Sequence, residues 1–596
     1  MNFYQKKQDD FKPQNLSDWV APDCHGLNFY EIDRSFQEVA SYYMDPKLLE
    51  FMTPHYKELG KIAGTDMDIW SRDADRHIPQ LHARDPRGRD EDWIEFHPSY
   101  RKMEQVAFGK FGLHAMSNRP GVLGWSEIVA PIAKYGFQYL FGQSEFGQLC
   151  PISATESTAM LISRYADDAT KDLLLDRMLT QDVDKMLKGG QFMTEKTGGS
   201  DVSNIALQAR QENGEWRLYG EKWFCSCADA DVILLLARPE GAPEGNAGLG
   251  LFALPRTLED GSRNKYRIIR LKNKMGSKSM ASGEIMFDGA KVYPLGDVGP
   301  HANRGLKMMM DQVNISRISH GVRAAAMMRR CLNEALAVAG YRRAFGSRLI
   351  EKPLLRRQLL KLMVPTEQAL SMYMYTASQM EKGDAGDEHA ANVTRILTPL
   401  LKYRTARDNV KVATGAMEVR GGNGYIEDFV NARLVRDAHL GVLWEGTSNI
   451  NSIDVITRAV ARVGAHVNLG EDLGNILNNN NQIPGQFAGQ LKGLVDQSIS
   501  FAAQVARDGR ETLYRKAASA LYHTTTAVLM ADEGARLGKE GGDARRMLLS
   551  RMVLEHRMGQ SNPFSLENEQ FEERACAALL DQETVSFEEA SDILSL

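Results

Sequence analysis

The spacing of apolar residues changes twice along the chain, and those two changes constrain the fold more than any other feature. Up to about residue 185 the apolar residues recur at helical spacing, as in DPKLLEFMTPHYKELGKIAG (45–64) and GFQYLFGQ (136–143). ISATESTAMLISRYADD (152–168) adds Ser and Thr capping signals before an apolar helix. From about 190 to 296 the pattern becomes short and alternating. ALQARQENGEWRLYGEKWFCS holds Asn213–Gly214 between two runs, the dipeptide of a two-residue hairpin. ADVILLLARP, GLGLFALPR, KYRIIRL and SGEIMFDGAKVY add further turn-bounded strands, which predict a small β-barrel or sandwich. Helical spacing returns near 303. The stretch from GLKMMM to AGYRRA reads as two long helices, and LLRRQLLKLMVPTEQALSMYMYTASQMEKGD as another, with Pro365 placed to kink it. The Asn-rich NILNNNNQIPGQ (475–486) reads as a loop and a boundary before a further helical tail.

A chain of 596 residues is too long for one core. The predicted class is α+β, with an N-terminal helical domain (1–187), a central β domain (188–298), a C-terminal helical bundle (299–464) and a helical extension (465–596). Several function classes are disfavoured. GGNG at 421–424 does not follow a strand as G-x-G-x-x-G would, and there is no P-loop, so a nucleotide fold of the Rossmann or P-loop kind is excluded. Six Cys in so long a chain make no disulfide scaffold, and the lone Cys225-x-Cys227 has no second pair to complete a zinc site. The formal net charge of −5 leaves no overall nucleic-acid footprint. Residues 466–596 carry 12 Lys and Arg against 19 Asp and Glu, which also opposes nucleic acid as a partner. The longest apolar run, VILLLA (232–237), falls far short of a membrane span, and MNFYQKKQDDF has no apolar core of a secretory signal. A soluble, cytoplasmic protein with reduced cysteines is expected.

Four stretches could carry chemistry. VLWEGTSNI (442–450) sets one carboxylate, Glu445, between an apolar run and a Gly-Thr turn. It reads either as a helix N-terminal Glu resting on the dipole or as a base whose pKa is raised by apolar surroundings. MTEKTGGSDV (193–202) exposes backbone N–H groups and hydroxyls suited to a flat polar ring or a phosphate, or is a surface turn. RRAFGSRL (342–349) ends a helix with an Arg fork beside an aromatic, suited to a pyrophosphate next to a base or to a C-terminal cap. AMEVRGGNGY (416–425) has three Gly in four positions, so another backbone could approach closely, or it is a simple interhelical turn.

Taken together and in order, MTExxGGSD (193–201), GEKWFCS (220–226), RRAFG (342–346), GGNGY (421–425) and WEGTSNI (444–450) resemble the acyl-CoA dehydrogenase family of flavoproteins over roughly residues 95–460. LPRTLEDGSRN (254–264), LKNKMGSKSMAS (271–282) and the C-terminal extension are most similar to its AidB-type branch. The resemblance implies FAD, and it makes Glu445 the base that removes the α-proton of a fatty acyl-CoA thioester while the β-hydride passes to flavin N5. It implies that Met193, Thr194, Gly199 and Ser200 line the flavin and thioester end, that Phe224 and Ser226 meet the isoalloxazine, and that Arg342 and Phe345 reach the FAD of a neighbouring subunit. Glu418, Gly421, Gly422 and Gly424 would flank its pyrophosphate, and Thr447 and Asn449 its edge. Ser200, Arg317, Glu445 and Gly446 would contact substrate. It also implies a homodimer or dimer-of-dimers tetramer, with an electron-transfer flavoprotein as electron acceptor.

Some positions depart from the family pattern: Phe224 stands where many members have Trp, Glu418 and Asn449 where Gln is usual, and Pro353 where a Gln often meets FAD. Some members carry the base just before the position of Arg317; here that residue is Ser316, which leaves Glu445. Two rival readings remain open at this level. One is an AidB-like DNA-associated flavoprotein of the alkylation response; the other is a flavoprotein that sequesters acyl-CoA with little turnover.

Overall fold

The computed structural model describes residues 15–301, 303–559 and 569–596. The N-terminal stretch MNFYQKKQDDF lies outside them. The chain forms two compact units that do not follow its linear order. The first runs up to Thr65, takes in Pro131–Ser144 and resumes at His320; the second holds Asp66–Ala130 and Glu145–Ser319.

The second unit is built on the alternating region. After a hairpin of β1 (Gln80–Arg84) and β2 (Asp90–Glu95), the strands are β3 (Gly189–Phe192), β4 (Gln208–Glu212), β5 (Glu215–Ser226), β6 (Val232–Pro239), β7 (Gly250–Pro255), β8 (Tyr266–Leu271) and β9 (Ser282–Leu295). β4 pairs with β5, β5 with β9, β9 with β7, β7 with β6 and β6 with β4, so the sheet closes on itself as a barrel. Closure hides the backbone edges that an open sheet would expose. Val232–Ala237 and Leu251–Leu254 are wholly buried, which explains why β6 and β7 read as continuous apolar runs. Asn213 (φ 52°) and Gly214 (φ 84°) form the expected left-handed turn between β4 and β5.

The β1–β2 hairpin corrects the reading of this region as helical. The inward positions of β2 are Asp92 and Ile94, so a carboxylate occupies half of its core face. Asp92 is 1% exposed, pairs with Arg263 and accepts the Ile268 N–H at 2.8 Å. A buried polar group satisfied by distant partners hides the strand's alternation from sequence.

The first unit is helical. Gly305–Tyr341 is one 37-residue helix, not two, and it passes from the second unit into the first. Gly321 does not break it: a Cβ there would lie 2.4 Å from Leu401 Cγ, so this glycine serves close packing against the helix Glu388–Arg420. Pro365 lies within a single helix, Pro353–Asp384. The Asn-rich stretch is helical through Asn479, so the loop there is shorter than the sequence indicates. The extension is locked into this unit by buried charge. Arg546, 1% exposed, pairs with Glu367 and Glu533 at 2.7 Å each, and Arg329 pairs with Glu367 at 2.5 Å and Asp33 at 3.1 Å. Burial pushes the Glu367 carboxyl up, but Arg329 and Arg546 outweigh it and hold it down at about 2.

Candidate active site

In the second unit the loop Met193–Asp201 is organised by its own glutamate. Glu195 is 5% exposed, pairs at 2.7 Å with the fully buried Lys222 of β5, and accepts the Ala206 N–H at 2.7 Å. Lys222 Nζ also donates to the Met193 carbonyl at 3.3 Å, and the Trp223 N–H to the Thr194 carbonyl at 2.8 Å. Glu195 and Lys222 were not singled out from sequence, although both lie inside motifs that were. Thr194 packs where a Cβ on Gly199 would sit (2.7 Å), so a side chain at 199 would collide with it. Ser200 is exposed. The β5–β9 register shifts between Lys222 and Cys225. Bulges re-aim side chains, and at this one Phe224 stands 51% exposed while Cys225 is buried. Lys272 Nζ lies 3.2 Å from the Trp223 ring centroid and 4.7 Å from that of Phe224. Ser226 is half-buried, paired in register with Ser282. Ser316 and Arg317 are buried on the long helix within this unit.

In the first unit the long helix ends at Tyr341 and gives way to a hairpin instead of a helical cap. β10 (Arg343–Ala344) and β11 (Ser347–Arg348) are joined through Phe345 (φ 50°) and Gly346 (φ 82°). The turn holds Phe345 97% exposed. Arg342 Nη1 is 3.4 Å from where a Cβ on Gly421 would stand, so the Arg fork and the glycine turn adjoin. Gly421 has φ 72°, and a Cβ on Gly422 would meet nothing within 4 Å. Gly424 is different: its Cβ would lie 2.4 Å from the Met417 carbonyl oxygen, so it serves helix packing. Glu418 is exposed beside this turn and accepts from Gln358 Nε2 at 2.9 Å. Pro353 begins the helix Pro353–Asp384 and offers no polar group.

Glu445 stands in the loop between the helices Val430–Gly441 and Ser448–Ile453, half-buried and left-handed at φ 53°. Such a conformation costs an L-residue about 1–2 kcal/mol, and strain of this kind collects at functional loops. It is not a helix N-terminal residue. Thr447 is the N-cap, its hydroxyl accepting the Ile450 N–H, and Gly446 (φ 89°) precedes it. Trp444 packs edge-on to the buried His320, ring centroids 6.2 Å apart. Asn449 is exposed.

Family models match three successive stretches. They are the adaptive response protein AidB N-terminal domain over residues 20–185, the acyl-CoA dehydrogenase middle domain over 190–290 and the acyl-CoA dehydrogenase C-terminal domain over 303–461. The chain is 32% identical over 434 residues to the putative acyl-CoA dehydrogenase AidB of Escherichia coli, an alignment covering 71% of this chain and 76% of that one. The chain belongs to the acyl-CoA dehydrogenase family. It is also 31% identical to acyl-CoA dehydrogenase family member 11 of Caenorhabditis elegans, over 66% of this chain and 64% of that one. Among solved structures, C. elegans ACDH-11 in complex with C11-CoA shares the fold, with a TM-score of 0.82, 24% identity, and coverage of 92% of this chain and 94% of that one. The fold class expected from sequence, helical flanks around a central β domain with a helical extension, is therefore the observed one.

Membership makes the chain an oxidoreductase with FAD as its cofactor. The residues present fit that group. Within the first unit Arg342 offers a cation beside a glycine turn open at Gly422 and Phe345 an exposed aromatic face; taken by itself, the second unit offers an exposed aromatic at Phe224. Among the described residues no cluster of His, Cys, Asp and Glu could hold a metal ion, and no helix is long and apolar enough to cross a membrane.

Proposed function

We propose that the protein is an FAD-dependent acyl-CoA dehydrogenase that converts a fatty acyl-CoA thioester to its trans-2-enoyl-CoA, with Glu445 as the α-proton base. The observation that supports this reading is the half-buried, left-handed Glu445; it stands in the stretch that resembles the family's base motif, and the alternative base position is Ser316. A thioester α-proton is weakly acidic, so the developing enolate oxygen needs a donor fixed in advance. The backbone N–H of Glu445 is the chain's own candidate for that donor, and the Glu445 carboxylate takes the proton. FAD, when bound, accepts the β-hydride. By the family resemblance, Met193, Thr194, Gly199, Ser200, Phe224 and Ser226 are assigned to the flavin and thioester end, Arg342, Phe345, Glu418, Gly421, Gly422 and Gly424 to the FAD of a neighbouring subunit, and Thr447 and Asn449 to the flavin edge. Arg317 and Gly446 are assigned to substrate.

The reading includes subunit crossing. Phe345 at 97% and Tyr425 at 80% exposure are large apolar groups that a second copy would cover in a homodimer or dimer-of-dimers. It also includes an electron-transfer flavoprotein as acceptor and a cytoplasmic setting, in keeping with six cysteines that are all free thiols. The test is anaerobic titration of the holoprotein with butyryl-, octanoyl-, dodecanoyl- and hexadecanoyl-CoA. Bleaching of the oxidised flavin by one length class is expected. Tight binding of every one without bleaching would replace this reading with acyl-CoA sequestration.

A further inference from the structure

The left-handed turn that presents Glu445 is held from outside as well as by its own local hydrogen bonds. Three consecutive carbonyls, those of Glu445, Gly446 and Thr447, converge on one side chain: Asn451 Nδ2 lies 3.4, 2.8 and 3.0 Å from them. The Gly446 carbonyl also accepts from Lys402 Nζ, which arrives from the interior of the helix Glu388–Arg420. Lys402 is 1% exposed and Asn451 wholly buried. A lysine buried only to fill space would give way to Met or Leu at lower desolvation cost. Here the ammonium is aimed at the carbonyl of the residue that follows the base. On the loop's other flank, Trp444 is braced by His320, whose Nε2 is 3.0 Å from where a Gly441 Cβ would stand.

We infer that Lys402 and Asn451 are positioning residues that clamp the Glu445–Thr447 backbone in its left-handed turn and so aim the base. They act through the peptide groups on either side of Gly446, whose carbonyls they bond. The inference rests on the reading of Glu445 as the base, because only then does a shift of this backbone change a rate. Misplacing a reacting group by about 1 Å can cost on the order of 100-fold in rate.

The experiment uses holoprotein variants K402M, K402R and N451L, with two measurements on each. The first is the rate constant of flavin reduction by dodecanoyl-CoA beside the dissociation constant of that ligand and the FAD content. K402M and N451L are expected to reduce roughly 10- to 100-fold more slowly with affinity and FAD content unchanged, and K402R to recover most of the rate. The second is amide deuterium uptake over 442–450, expected to rise in K402M and N451L and to stay near wild type in K402R. Wild-type rates and wild-type uptake in both K402M and N451L would overturn the clamp. Should K402M fail to fold, N451L decides by the same two measurements. If dodecanoyl-CoA does not bleach even the wild-type flavin, it is the base assignment for this substrate that fails, and deuterium uptake alone then decides the clamp.

Discussion

The loop at Met193–Asp201 and the loop at Val442–Thr447 are both tied to a buried lysine, but the lysines reach them by different routes. In the barrel, Lys222 is matched at 2.7 Å by Glu195, a residue of the loop it holds, and that carboxylate in turn holds the following backbone. In the helical unit, Lys402 comes from 44 residues upstream and takes a backbone carbonyl of the turn. The first arrangement spends its carboxylate on structure. The second holds its turn through backbone carbonyls, with the backbone strain at Glu445 itself.

The contrast can be broken from the barrel side with the largest effect. E195A leaves the Lys222 ammonium buried without its partner, which should destabilise the protein by about 3–5 kcal/mol. E195Q/K222M, which removes both charges, should recover much of that loss. The check is a denaturant midpoint for each variant. Equal midpoints for E195A and wild type would remove the structural role of Glu195.

A pH series sharpens the comparison at intermediate size. Burial, with Arg323 and Lys402 adding to it, pushes His320 well below its ordinary 6.5 and keeps it neutral beside Trp444. Below 6.5 the unfolded chain therefore binds a proton that the folded chain refuses, so stability falls as pH drops, by up to about 1.4 kcal/mol per pH unit. Burial also lowers Lys222 against the opposing pull of Glu195, below its ordinary 10.5. Lys222 therefore makes itself felt in an alkaline window below 10.5, where the unfolded chain binds the extra proton and stability rises with pH. H320Q should make the acid limb shallower without removing it, because burial also holds His114 at about 4 and His523 at about 3, and it should leave the alkaline limb alone, as read by thermal midpoints across pH.

The smallest effect has the opposite sign. E445G relieves the left-handed strain, and the gain, partly offset by glycine's greater unfolded entropy, should leave the protein about 0.5 kcal/mol more stable. It should at the same time be inactive. A less stable E445G would mean that the Glu445 side chain contributes more packing than its conformation costs.

Much of this was legible in the sequence because it was local. The hairpin at Asn213–Gly214, the alternating barrel strands and the glycine-rich motifs each announce themselves within a dozen residues. The β1–β2 hairpin did not, because Asp92 takes an inward position that alternation would give to an apolar residue. The single long helix did not, because Gly321 serves contact with Leu401 and not a turn. Lys402 and Asn451 carried no local signal at all. A lysine in mid-helix ordinarily reads as solvated, and only the packing of Glu388–Arg420 against the Glu445 loop shows that it faces inward.

The central claim is that Glu445 does the proton chemistry, and the most direct test is anaerobic stopped-flow reduction of wild-type and E445Q holoprotein by the acyl-CoA that bleaches the wild type. The account predicts that E445Q binds FAD and acyl-CoA as the wild type does while its flavin reduction slows by at least about 100-fold, the scale of a lost general base. Reduction of E445Q at the wild-type rate would contradict it.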